Sequence, residues 1–113
     1  MIKNKILLVP FPFDDFTYLK VRPALCLSNF IGKYDHVIIA FISSKIPEEI
    51  LETDVSVEKG TAEFEKTVLL VNSVIRVHKL VTIPKSLIKR ELGTIGTSLE
   101  KKVLERTNKI FHL

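Results

Sequence analysis

A single cysteine, four glycines and the absence of any long uninterrupted apolar run set the first limits on this 113-residue chain. One thiol excludes an internal disulfide. Cys26 stands inside an apolar segment, which points to a buried, inert thiol rather than a nucleophile and fits a reducing, cytoplasmic compartment. No segment approaches the about 20 apolar residues of a membrane span. The start, MIKNKILLVPFPF, is basic then apolar, but prolines break it and no small-residue cleavage pattern follows, so it does not read as a signal peptide. His36, His78 and His112 are far apart and HxxxH, CxxC and HExxH spacings are missing, so no metal site is expected. A glycine-rich phosphate loop is missing too, and no cofactor is expected. Without repeats, low-complexity tracts or linkers, residues 1–113 read as one domain, large enough for a single core without staples.

What is present is a net charge of +4, unevenly placed: residues 1–56 carry 6 basic and 7 acidic side chains, residues 57–113 carry 11 and 6. A polyanion therefore meets the C-terminal half more favourably. An excess of this size is common among proteins that bind no nucleic acid, so charge supports an RNA partner without proving one. Asp14-Asp15 and Glu48-Glu49 are sequence neighbours on loops and read as solvated charge rather than converging acid pairs.

Hydrophobic patterning predicts mostly short strands. Ile6 to Val9 and Ala24 to Leu27 are β-type, with Pro10 and Pro12 marking an edge or a bulge. His36 to Ile42 is a continuous apolar run whose Val37, Ile38, Ile39 and Ile42 favour a strand buried on both faces over a short helix. Ile46 to Glu52 predicts a helical turn started by Pro47, Asp54 to Glu58 a half-exposed strand, and Lys59 to Glu65 a loop. Thr67 to Val71, Ser73 to Val77 and Lys79 to Ile83 predict further strands. Pro84 starts a short helix, Lys85 to Leu92, stopped by Gly93. Thr97 with Glu100 forms a capping box for a last helix, Ser98 to Phe111, whose Leu99, Val103, Leu104, Ile110 and Phe111 make one apolar stripe; Lys101, Lys102, Arg106 and Lys109 are its solvated face. Frequent turns between strands, with helices kept to the end, predict a mainly β fold with C-terminal α: a small, strongly bent antiparallel barrel.

Arg22 and Pro23 stand between the first two predicted strands. Pro23 fixes its own φ and holds Arg22 extended where a polar loop becomes a strand, so the guanidinium sits on a rigid stem. The phrase LVPFPFDDFTYLKVRPALCLS resembles the N-terminal signature of the MazF/PemK family of toxin endoribonucleases. IIAFISSK resembles the family's second catalytic strand, and NSVIRVHKLVTIPKSLIKRELGTI its closing strands and short helix, so the likeness spans nearly the whole chain. It implies a Src-homology-3-like barrel of the MazF/CcdB toxin type, a homodimer, and metal-independent cleavage of single-stranded RNA through attack of the 2′-hydroxyl. An apolar N-terminal strand carrying Pro10 and Pro12 gives a physical reason for the dimer, since an exposed edge needs covering. An acidic antitoxin whose tail competes for the RNA groove is the implied protein partner.

By the same resemblance the catalytic pair maps to Arg22 and Ser43. The chemistry fits these types: Arg22 offers a planar fork for two phosphate oxygens, and Ser43, at a strand end, one further hydrogen bond. Guanidinium is effectively always protonated, so charge stabilisation suits Arg22 better than proton transfer, and the holder of the 2′ proton stays open. Each has a plainer reading: Arg22 pairs Asp14 or Asp15, and Ser43 satisfies a backbone group. Ser44 is a weaker candidate. Lys20, Phe13 and Arg76 are candidate RNA contacts, as a loop cation, an exposed aromatic and a strand cation. His78 or His36 reaches the site only if the fold brings it there. The chain departs from the family pattern at Asn4-Lys5, usually Gly-Asp; at Val21, often basic; at Lys45, commonly Gln; and at Asn72, in a region where some members carry a catalytic acid. The alternative is a non-catalytic member acting through protein contacts, as a related gyrase-inhibiting toxin fold does.

Overall fold

The computed structural model describes residues 1–10 and 21–112. Six antiparallel strands form one curled sheet, a half-barrel: β1 (Lys5–Pro10), β2 (Val21–Cys26), β3 (His36–Ser43), β4 (Asp54–Val57), β5 (Ser73–Pro84) and β6 (Arg90–Thr94), in the order β4-β5-β3-β2-β1-β6. Among the described residues two α-helices complete it, α1 (Ala62–Thr67) and α2 (Thr97–Phe111). The continuous apolar runs are explained by two cores, one on each face of the sheet. Ile6, Leu25, Ala40, Ile42, Ile75 and Val77 face the helices, while Leu7, Val9, Ala24, Cys26, Val37 and Ile39 face the other way. Cys26 is fully buried, its Sγ donating to the Ser28 carbonyl at 3.1 Å, and burial pushes the thiol above its ordinary range, which makes it inert as expected.

β1 is not an edge. It lies between β2 and β6, and Pro10 is tolerated because β6 pairs only Lys5 to Leu8, leaving Pro10 opposite Val21 alone. The edge argument for a dimer therefore fails at β1. Pro23 is accommodated similarly, since β2 pairs β3 only from Ala24 onward. Asn4, one of the departures, has φ 72°, the left-handed region that asparagine tolerates better than most side chains. Val21 starts β2 opposite Pro10, and Asn72 sits just before β5 with its Oδ1 accepting from the Lys59 amide at 2.7 Å.

Four predicted elements come out differently. The 46–52 segment forms no helix; a turn there is tied by Asp54, whose Oδ2 accepts from the Leu51 amide at 2.8 Å. The 59–65 loop and the 67–71 strand are replaced by α1 and a turn. Thr61 caps α1 by accepting from the Phe64 amide, buried Thr67 belongs to its last turn, and Val68 at φ 60° reverses the chain. The apolar TVLLV run has the composition of a strand, but in the observed order its neighbours pair without it. After Pro84 a single 3₁₀ turn, Lys85–Leu87, stands where a helix was expected, because Arg90–Thr94 pairs with β1. Gly93 is thus a strand residue; a Cβ there would collide with the Lys66 and Thr67 carbonyls, so its smallness lets β6 cross the end of α1.

α2 begins one residue earlier than predicted, with Gly96 as its N-cap, and the Thr97–Glu100 box does not form. The cap comes from α1 instead: Glu63 accepts from the Gly96 amide at 2.7 Å (Oε2) and the Ser98 amide at 3.2 Å (Oε1). A Cβ on Gly96 would meet that carboxylate at 2.5 Å. Two charge-assisted bonds at a helix N-terminus predict that Glu63→Ala costs about 1–2 kcal/mol, with Glu63→Gln recovering part of it; thermal unfolding of the variants checks this. Leu99 and Val103 pack on the core, but Leu104 and Phe111 are about 60% exposed, because each lies about 100° round the helix from its buried or half-buried predecessor, Val103 or Ile110. Arg106 and Lys109 pair with Glu105 and Glu52, in keeping with a solvated face.

Candidate active site

Side chains alternate along strands, so Arg22, Phe41 and Ser43 share the sheet face of Ala24, Cys26, Val37 and Ile39, beyond the end of that core. A groove of about 630 Å³ opens there, and Arg22, Ser43, Lys45, Arg76, His78 and Lys79 line it over a floor that includes Phe41 and Ile42. Three of the sequence candidates reach it, Arg22 and Ser43 from adjacent strands and Arg76 from β5. Among the described residues that line the groove, none is acidic, and four cations come from both halves of the chain. The charge asymmetry along the sequence is therefore not the asymmetry in space.

The β3–β5 register explains how His78 and Lys79 enter. Phe41 pairs Arg76, yet the preceding Ala40 pairs Leu80, so residues 77–79 have no counterpart on β3 and β5 bulges at the groove. The two predicted strands Ser73 to Val77 and Lys79 to Ile83 are one strand, and the break expected at His78 is this bulge.

Ser43 Oγ donates to the Lys45 carbonyl at 2.7 Å and accepts from the Lys45 amide at 3.2 Å. Its one proton is engaged in a local turn, the plainer of its two readings, and the amide of Lys45 is held by the same hydroxyl. Ser44 is exposed and is not among the groove-lining residues. Lys20, Phe13, Asp14 and Asp15 lie outside the described residues. His36 is at the far end of β3, edge-to-face with Tyr34 at 6.2 Å, and Asn72 does not line the groove.

Arg76 is anchored rather than loose. Its Nε lies 2.8 Å from Oδ1 of Asp54, directly opposite it in the β4–β5 register, and the Asp54 side chain is fully buried. The expectation of a half-exposed β4 missed this, because the polar-apolar alternation predicts Asp54 outside; only Ser56 is exposed on that strand. His78 Nδ1 is 4.0 Å from the same Asp54 oxygen. Burial first, then the charge of Arg76, hold the imidazole below its ordinary value against the opposing pull of Asp54, and Lys79 adds to the lowering. The resting groove thus combines guanidinium and ammonium charge with a ring that favours its neutral form.

A family model described as PemK-like, MazF-like toxin of type II toxin-antitoxin system matches residues 3–111. No curated protein matches the sequence significantly. Among solved structures, the Mycobacterium tuberculosis toxin MazF-mt6 superimposes with a TM-score of 0.73 at 23% identity, covering 96% of this chain and 97% of that one. An endoribonuclease from mycobacterial species, solved in complex with its cognate antitoxin, gives 0.70 at 14% identity over 100% and 96%. An Mtb toxin gives 0.70 at 21% identity over 95% and 100%. At these identities the structural likeness establishes the shared fold, and the family match extends over nearly every residue described above. The chain belongs to the PemK-like, MazF-like toxins of type II toxin–antitoxin systems.

Proposed function

We propose that this protein is a metal-independent endoribonuclease, the toxin of its pair, which cleaves single-stranded RNA in the groove between β2, β3 and β5. The observation that carries the reading is the convergence of Arg22, Ser43, Lys45, Arg76 and Lys79 on one groove with no acidic residue among its described lining. Such a groove concentrates a polyanion, and the Arg22 fork matches the two non-bridging oxygens of a phosphate whose charge grows as the 2′-oxygen attacks. Attack displaces the 5′-oxygen and leaves a 2′,3′-cyclic phosphate and a 5′-hydroxyl. Ser43 contributes through its hydroxyl once a phosphate oxygen replaces the Lys45 carbonyl as acceptor, or through the Lys45 turn that it holds.

The same field suits an acidic antitoxin segment, and a solved neighbour does bind a cognate antitoxin. A homodimer in the cytoplasm completes the proposal; its support is the family, since β1 is covered by β6. Among the described residues no helix is long and apolar enough to cross a membrane.

The test is a single-stranded RNA incubated with the protein in EDTA, with end-group analysis of the fragments. Cyclic phosphate and 5′-hydroxyl ends are expected, with inhibition by the purified antitoxin that weakens as salt rises. A protein that cuts nothing, or an antitoxin that binds and leaves cleavage unchanged, overturns the nuclease or the occlusion reading respectively, and the first result leaves action through protein contacts standing.

A further inference from the structure

We infer that His78 is the proton acceptor of the cleavage step, taking the proton of the attacking 2′-hydroxyl at Nε2; the assignment rests on the nuclease reading above. The other described residues of the groove offer no ready proton acceptor. Arg22, Arg76, Lys45 and Lys79 are cations with no lone pair to offer at neutral pH, and the Ser43 hydroxyl already donates to a carbonyl. Asp54 is buried and ion-paired to Arg76. Among the described residues lining the groove, that leaves His78 as the group able to accept a proton near neutrality.

Its placement suits the role. The bulge at residues 77–79 delivers the ring to the groove wall beside Arg76, across from the β3 end that carries Ser43 and the β2 residue Arg22. Nδ1 faces Asp54 Oδ1 at 4.0 Å, which puts Nε2 on the opposite side of the ring. The charges acting on the imidazole are Asp54 from β4 and Arg76 and Lys79 from β5, while Lys45 after β3 and Arg22 from β2 line the same groove. Burial first, then Arg76 and Lys79, favour the neutral ring that can accept a proton, and Asp54 offers the imidazolium an opposite charge once it forms.

The step balances without a co-reactant. The O2′–P bond forms as the P–O5′ bond breaks, the 2′ proton passes to Nε2, the departing O5′ takes a proton from solvent, and His78 returns its own to solvent when product leaves.

Single-turnover cleavage of single-stranded RNA in EDTA, followed against pH, tests this in the wild type, His78→Gln and His78→Ala. The wild-type rate is expected to rise with pH and level off, with a midpoint below the ordinary histidine value of 6.5. His78→Gln should lose about 10²- to 10⁴-fold in rate and lose this acid limb. Its affinity for RNA carrying a 2′-deoxy sugar at the cut site should not change, and added imidazole should restore part of the His78→Ala rate. A folded His78→Gln protein that cuts at the wild-type rate, or cuts slowly with the same acid limb, overturns the assignment. Should neither variant fold, the wild type decides: an acid limb whose midpoint matches the His78 resonance in an NMR titration supports the inference, and a profile without that limb overturns it. A wild type that cuts no RNA removes the nuclease reading itself, a result distinct from any behaviour of the variants.

Discussion

Arg22→Ala is expected to abolish detectable RNA cleavage while leaving the sheet intact. Arg22 is the second residue of β2, opposite Val9, where β2 is not yet paired with β3 and the local core has given way to the groove, so truncation removes a charge from the site without opening the interior. Losing one preorganised donor typically lowers a rate by about 10²- to 10³-fold, and a two-toothed guanidinium supplies two donors together with a full charge, so a loss beyond about 10³-fold is expected. Arg22→Lys should recover little, because an ammonium is a point charge and cannot span two phosphate oxygens. Ser43→Ala should fall less far, by about 10²- to 10³-fold, and Ser43→Thr, which keeps the hydroxyl, should stay active. The end-group assay with a circular-dichroism check of folding measures all four. A folded Arg22→Ala protein as active as the wild type would contradict the catalytic role of the groove.

The second large effect is on stability. Arg76→Ala leaves a fully buried Asp54 carboxylate with the Leu51 amide on Oδ2 and no guanidinium at 2.8 Å from Oδ1. Breaking a buried pair by removing one partner typically costs about 3–5 kcal/mol, since the remaining charge keeps its desolvation penalty and loses what offset it. For a domain of this size that corresponds to a fall in Tm on the order of 10–20 °C. Replacing both partners, Asp54→Ala with Arg76→Ala, should cost less than the sum of the single changes, and a double-mutant cycle read by thermal unfolding measures the coupling. If Arg76→Ala melts with the wild type, Arg76 is a groove cation only. The expected result means that lost cleavage in this variant reports a damaged β4–β5 pair as well as a lost phosphate contact, and the two are separated by assaying well below its melting temperature.

Some of this architecture was legible residue by residue. The β-branched run at 37–42 lies in a strand with a core on either face, and Cys26 is the buried thiol its apolar surroundings suggested. Arg22 is extended, as expected, because Pro23 acts on its neighbour's backbone through sterics that need no tertiary partner. The stripe on α2 was half right: Leu99 and Val103 obey the periodicity, but whether the adjacent Leu104 row is covered depends on how wide a surface the sheet presents.

Other features have no local signature. RELGT is a strand only because β1 offers an unfilled edge, and the helix predicted there loses to the ladder it can form with Lys5 to Leu8. Glu63 caps a helix thirty-three positions away, and Gly93 is required by two carbonyls of α1; neither partner is visible from the sequence around it. The sequence by itself determined the apolar strands that contain Ile6 to Val9 and His36 to Ile42, the extended backbone under Arg22 and the buried thiol, all consequences of neighbours along the chain. Only the tertiary structure decided that a bulge in β5 carries His78 and Lys79 to the same groove as Arg22 and Ser43, and that a buried Asp54 holds Arg76 beside them. Strand pairing brings together residues more than fifty positions apart, and the charge each one feels is set by those distant partners rather than by its own segment.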